Sequence, residues 1–221
     1  FRSIYNSNRF FLRVLLERLG CEVSDLGIVP DRRDLTLAAL KTAADHHELI
    51  LTSGGVSVGE EDHIKPAVQQ LGSLDLWQIA MKPGKPFAYG TVRRDAGAGA
   101  AAGEHCHFIG LPGNPVSSYV TFLLLVRPFL LKLQGAAESA YQPVFRPMKL
   151  RADFDLPRAD KRREFLRVRR NNDGGLDLFP NQSSGVLTSA SWADGLVDNP
   201  AGTTIARGDL VDYIALSDLL A

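Results

Sequence analysis

Near residue 140 the hydrophobic period of this 221-residue chain changes, and that change limits the folds open to it. Before it, segments of helical period alternate with short apolar runs. Apolar residues recur at Phe10, Phe11, Val14, Leu15 and Leu19 behind a capping candidate at Asn6 or Ser7, and Gly20 stops the pattern. That spacing predicts an amphipathic helix. Cys21 to Val29 reads as a strand, Asp31 or Asp34 as the cap of a helix reaching about Ala44, and Glu48 to Thr52 as a short apolar strand. A helix from about Asp62 to Leu71 and a strand from Leu76 to Met81 come next. FAYGTV and CHFIGL read as a strand pair around a low-complexity tip between residues 93 and 105. GLPGNP (Gly110 to Pro115) then opens a long apolar helix that Gly135 closes. Strands alternating with helices predict a parallel sheet covered on both faces. In such sheets ligands bind beyond the carboxyl ends of the strands.

After residue 140 the runs are short and alternating: VFRPMKLRA, EFLRVRR, LDLFP, TTIARGDLVDYIAL. Turn residues separate them, and no helical period is convincing. The expectation is therefore a three-layer α/β domain with a mostly parallel sheet over 1–140. A small all-β, barrel-like domain over 141–221 follows a linker near Ala136 to Pro143.

Composition removes several function classes. Lysine plus arginine equals aspartate plus glutamate, 25 each, so no net charge draws the chain to nucleic acid or to an anionic membrane. The most apolar stretch, Val120 to Leu133, is broken by Arg127, Pro128 and Lys132 well short of the ~20 residues of a membrane span, and reads as a buried helix. Cys21 and Cys106 show no metal-ligand spacing and read as free thiols of a reducing compartment. The five histidines show no zinc pattern either. No signal-peptide pattern opens the chain, and Phe1 in place of a methionine reads as a piece of a longer protein. Together these features suggest the cytoplasm.

Four stretches offer chemistry. In TSGGVSVGEEDH (Thr52 to His63), Gly54 and Gly55 let backbone approach a ligand closely, and Ser53 and Ser57 add hydroxyls. This is an anion cradle, with an ordinary Gly-Gly turn as the plain alternative. Glu60, Glu61 and Asp62 beside it are either ordinary helix-start acids or ligands for a Mg²⁺ ion that would bridge carboxylate and phosphate. MKPGKP sets Lys82 and Lys85 three apart in a turn stiffened by Pro83 and Pro86, fit to hold an oxyanion. In GLPGNPVSS, Pro115 and Asn114 suit a helix start and Ser117 is a further donor. In RREFLRVRR, strand alternation puts Arg163, Arg167 and Arg169 on one face and Glu164 on the other, by default a solvated basic face.

SGGVSVGEED, MKPGKPFAYG and GLPGNPVSS, in this order, resemble the molybdopterin molybdenumtransferases, the MoeA and gephyrin E-domain family. IYNSN, LGCEVSDLGIVPD and REFLR fit the same pattern. The resemblance covers the family's molybdopterin-binding α/β domain and its C-terminal β domain, and not its N-terminal region. It implies insertion of molybdate into adenylylated molybdopterin, with release of AMP and a divalent cation, Mg²⁺, at the anhydride. By that likeness Asp62 matches the functional aspartate and metal ligand, Asp31 the aspartate after the second strand, and Lys82 and Lys85 the lysines near the oxyanion. Ser53, Gly54 and Gly55 match the phosphate loop, with Ser57 beside them. Asn114 and Ser117 match the proline turn, and Arg167 and Ser184 the molybdate side of the β domain. A homodimer is implied, and the pathway's adenylyltransferase is a candidate partner. Two other readings stay open: a non-catalytic pterin-binding or dimerising scaffold, and a molybdopterin adenylyltransferase.

Overall fold

The computed structural model describes residues 6–56, 63–76, 78–95, 104–141 and 147–220; Ser57, Glu60, Glu61 and Asp62 lie outside them, as do the low-complexity tip at 96–103 and part of the linker. The chain divides into two compact units, Phe1–Ile79 with Pro86–Gly113, and Ala80–Lys85 with Asn114–Ala221.

The first unit is α/β. Helix α1 (Asn8–Arg18) ends where Gly20 takes a left-handed φ of 76°. Helix α2 (Arg33–His46) and strand β1 (Leu49–Ser53) follow, then α3 (Ile64–Leu71) and β2 (Gly72–Leu76). Beyond β3 (Met81–Lys82) come β4 (Ala88–Arg93) and β5 (His105–Leu111), the expected hairpin. The sheet order is β1-β5-β4-β2. Leu40, Ala43 and Ala44 of α2 and Ala67 and Val68 of α3 cover one of its faces, packing on Ile50, Ala88, Val92, Cys106 and Phe108.

The second unit holds the long apolar helix and a curled β sheet. The helix runs as α4 (Pro115–Thr121), a π-helical turn (Phe122–Val126) and α5 (Arg127–Leu133). Pro128 has no N–H to give the preceding turn, the usual setting for such a local widening. A short α6 (Glu138–Tyr141) leads to β6 (Met148–Arg151), β7 (Arg163–Arg170), β8 (Leu176–Leu178), α7 (Thr188–Trp192), β9 (Gly195–Asn199), β10 (Leu210–Ala215) and α8 (Leu216–Leu220). The strand order is β3-β7-β9-β10-β6, with β8 on β7. One bridge between Ala152 and Leu176 brings the β6 and β8 sides together without closing a full ladder. Its core is Phe154, Leu166, Val168, Leu176, Val197, Ile205 and Tyr213.

The α/β domain and the β domain of the expectation are both present. Several details differ. The first sheet is mixed: β1 and β5 are parallel, whereas β4 pairs antiparallel with both β5 and β2. Residues 21–29 join no strand ladder, and Leu26, Ile28 and Val29 are exposed; extended apolar sequence becomes a strand only beside a hydrogen-bonding neighbour. The strand expected at 76–81 is split. Gly72–Leu76 pairs with β4 through an irregularity between Leu74 and Leu76, and Met81–Lys82 runs parallel to β7 in the other sheet. Neither Asp31 nor Asp34 caps α2; the cap position is Arg32, and Asp34 binds its guanidinium instead. Short helices α7 and α8 interrupt the all-β expectation. The long helix belongs to the second unit, where its π-helical turn packs on α8.

Candidate functional site

In the first unit the expected cradle lies at the carboxyl end of β1. Ser53 is in register with Leu111 on β5, and the Gly54 N–H donates to Leu111 O at 3.0 Å. Gly54 and Gly55 then turn at φ 91° and 69°. Two successive left-handed residues are costly for anything but glycine, so the sequence pair is demanded by the backbone. Val56 dives into the core, 1% exposed, against Gly110, whose missing side chain makes the room: a Cβ there would stand 2.3 Å from Val56 Cγ1.

Asn8 is the residue that sequence reasoning missed. It is 4% exposed, and its Nδ2 donates to Ser53 Oγ at 2.7 Å and to Gly113 O at 2.8 Å. It thus ties α1 to both glycine loops. The signal was an amide in the first turn of a helix, where IYNSN was read as a cap and as part of the family pattern, with no role for Asn8 itself. Ser7 makes no side-chain cap, and Asn6 Oδ1 accepts weakly from Arg9 N–H at 3.4 Å. Asn8→Ala is expected to cost about 1–3 kcal/mol, the penalty for leaving buried groups unpaired. Amide exchange at Gly54 should accelerate with it; unchanged exchange would show that Asn8 does not hold the loop.

Asp31 is mostly exposed, and its carboxylate stands 3.8 Å from His63 Nε2. Among the described residues no three histidine, cysteine, aspartate or glutamate side chains converge on a point. The Mg²⁺ expectation rests on Asp62, outside the described residues.

In the second unit the two lysines of MKPGKP part company. Lys82 Nζ lies 2.8 Å from Glu164 and 3.1 Å from Asp160, and these carboxylates, Glu164 foremost, raise its pKa above the ordinary lysine value. Lys85 is exposed. Asn114 and Ser184 do meet: Asn114 Nδ2 donates to Ser184 Oγ at 3.0 Å, and Val116 N–H to Ser184 O at 3.0 Å. The helix start and the NQSSG turn are thereby bonded together. Ser117 is buried in the first turn of α4.

Arg167 overturns the solvated basic face. It is 2% exposed, while Arg163 pairs with Asp198 and Arg170 with Asp194. Its own partners are neutral and distant: Ser189 Oγ at 3.3 Å, Phe165 O at 3.4 Å and Ser183 O at 3.4 Å. No carboxylate balances it among the described residues, and burial alone pushes its pKa down to about 10. Gln182 fixes the strand from behind, its Oε1 accepting from Arg167 N–H at 3.0 Å and its Nε2 donating to Arg167 O at 3.0 Å. Gln182 and Ser189 are further residues that sequence reasoning left unassigned. A buried cation beside hydroxyls and no acid is suited to an anionic ligand.

Comparison with known proteins bears on the family of the chain. Residues 2–132 match the model of the probable molybdopterin binding domain, and residues 149–216 that of the MoeA C-terminal region (domain IV). The chain belongs to the molybdopterin-binding-domain family, as the sequence motifs implied. Among curated relatives it is 43% identical, over 75% of its length, to a Molybdopterin molybdenumtransferase of Haemophilus influenzae, covering 37% of that protein. It is 31% identical over 97% of its length to one of Synechococcus elongatus, covering 50%. A Dictyostelium discoideum gephyrin matches 50% of the chain at 36% identity. The chain thus spans about half or less of these relatives. Among solved structures, a molybdopterin biosynthesis moeA protein from Pyrococcus horikoshii superposes with a TM-score of 0.71 at 26% identity, covering 96% of this chain and 48% of that one. A molybdenum cofactor biosynthesis protein from Pyrococcus furiosus gives 0.66 at 25%, covering 94% and 64%.

Proposed function

We propose that this chain carries the substrate-binding parts of a molybdopterin molybdenumtransferase, which inserts molybdate into adenylylated molybdopterin and releases AMP. The single observation that supports this best is the buried guanidinium of Arg167, with no carboxylate partner among the described residues, which suits molybdate. Ser184, Ser117 and Asn114 supply hydroxyl and amide groups to the same oxyanion chemistry, and Lys85 an exposed ammonium. In the other unit Ser53, Gly54, Gly55 and Ser57 hold phosphate through backbone N–H groups and hydroxyls. Asp62 and Asp31 are the carboxylates assigned to a Mg²⁺ ion, which when bound would polarise the adenylyl anhydride. The division of labour between 1–140 and 141–221, a homodimeric state, an encounter with the pathway's adenylyltransferase and a cytoplasmic setting belong to the same proposal.

The test is AMP release from adenylylated molybdopterin by the 221-residue chain with Mg²⁺ and molybdate. Molybdate-dependent release is expected, and Asp62→Asn is expected to stop it while pterin stays bound. Pterin binding without molybdate-dependent release would mean that the chain carries the cradle but needs carboxylates from outside its 221 residues, and neither release nor binding would favour the scaffold. Consumption of ATP with unmodified molybdopterin would favour the adenylyltransferase.

A further inference from the structure

We propose that Glu164 and Asp160 are positioning residues for Lys82: the two carboxylates fix the direction of its ammonium group and leave one N–H for an anionic ligand. The inference deepens the proposal above, because it rests on Lys82 facing an oxyanion.

The geometry is built from two strands. Lys82 and Glu164 are register partners in the parallel pair of β3 and β7, so their side chains are neighbours across the ladder. Glu164 Oε1 stands 2.8 Å from Lys82 Nζ, and Asp160 Oδ2 stands 3.1 Å away. Asp160 is itself rigid. Arg162 reaches both its oxygens at 3.0 Å and also gives its backbone N–H to Oδ1 at 3.0 Å. An ammonium has three protons. Two are taken, and the side chain of Lys82 is still 42% exposed, so the third has an open direction.

The arrangement is a poor one for stability alone. Glu164 is 3% exposed, and its Oε2 is buried with no hydrogen-bond partner among the described residues. A half-satisfied buried carboxylate is generally worse for a fold than an apolar pair in its place. Nor does it favour an anion by charge, since Glu164 offsets Lys82 while Asp160 is already offset by Arg162. What the carboxylates supply is aim. A lysine on a flexible four-carbon stem otherwise spreads its charge over many rotamers.

Charge and aim predict opposite signs, which makes the experiment decisive. Molybdate affinity of the 221-residue chain is measured by calorimetry for wild type, Glu164→Gln, Glu164→Asp and Asp160→Asn, with the midpoint of Lys82 followed by NMR of labelled lysine. Positioning predicts that Glu164→Gln and Glu164→Asp both weaken molybdate roughly tenfold, the worth of one charge-assisted hydrogen bond. Asp160→Asn, at a side chain 19% exposed against 4% for Glu164, should weaken it in the same direction. The Lys82 midpoint should fall toward its ordinary value in Glu164→Gln. If Glu164→Gln tightens molybdate and Glu164→Asp equals wild type, Glu164 acts by charge and the proposal is overturned. If wild type itself does not bind molybdate, the functional reading fails on its own. The Lys82 midpoint then decides the clamp, and an unmoved midpoint in Glu164→Gln refutes it.

Discussion

Arg167→Met is expected to leave the fold intact while molybdate-dependent turnover falls by a factor on the order of 10²–10³, as for loss of one oxyanion donor. Both halves follow from the same burial. The guanidinium is 2% exposed and has no carboxylate among the described residues, so the folded chain bears its desolvation without an opposite charge in return. Burial depresses its folded pKa to about 10, well below the ordinary arginine value. The sign is that of a destabilising cation: the penalty is fully present below about pH 10 and is relieved only as pH rises toward the unfolded value. Methionine fills similar length without charge. The three neutral acceptors lose only long contacts, so stability should be unchanged or about 1 kcal/mol higher, in line with other replacements of buried charges. Arg167→Lys keeps the charge but not the planar fork, and should recover little turnover. Melting curves with and without molybdate complete the test. Molybdate should raise the melting temperature of wild type by mass action and leave that of Arg167→Met unmoved. A methionine variant that melts many degrees lower, with turnover reduced only by its unfolded fraction, would falsify the binding role and make Arg167 a structural residue.

Local pattern gave a good part of this architecture. The helices near 8–18 and 33–46, the strand before Gly54, the 88–111 hairpin and the glycine stops at 20 and 135 depend on periodicity or on backbone that only glycine adopts easily. The places where the reading failed are those decided by a distant partner. Residues 21–29 have strand composition but no ladder. Residues 72–82 look like the approach to one strand, yet they feed two different sheets, because β4 takes Gly72–Leu76 and β7 takes Met81–Lys82. The candidate site divides in the same way. Gly54 and Gly55 were legible because the φ values they adopt are written into the residue type. Arg167 was not, since alternation gives a face and not what covers it; Arg163, four positions before it on that face, and Arg169, two positions after, are exposed. Lys82 and Lys85 looked equivalent three residues apart. Only the pairing of β3 with β7 separates a clamped ammonium from an exposed one, and Glu164 lies 82 positions from the lysine it holds.

Gly84→Ala should be the most damaging single-methyl change in the MKPGKP turn. Gly84 sits at φ 120°, outside the region L side chains readily adopt, and is buried. A Cβ there would stand 2.4 Å from Thr121 Cγ2 and 2.9 Å from Met81 Cε. Two costs combine: backbone strain of about 1–3 kcal/mol and overpacking of about 1–3 kcal/mol. The expected loss is roughly 2–6 kcal/mol, a fall of about 4–24 °C in melting temperature for a chain of this size. The helix cannot simply yield, because Thr121 Oγ1 donates to Ser117 O at 2.7 Å within α4, the helix whose start is bonded to Ser184. The two costs can be separated experimentally. Thr121→Ser retains that hydroxyl and removes the methyl that Cβ would strike. Gly84→Ala with Thr121→Ser should therefore recover the part of the steric cost that comes from Thr121 Cγ2, and leave the strain and the close approach to Met81 Cε. Recovery of the whole loss would mean that the backbone relaxes out of its left-handed conformation. No recovery would mean that strain and the Met81 contact set the cost. Molybdate affinity should follow the same order, lowest in the single variant and partly restored in the double, because displacing the turn moves Lys82 away from Glu164 and Asp160. An affinity unchanged in a folded Gly84→Ala protein would detach the turn from the anion chemistry assigned to it.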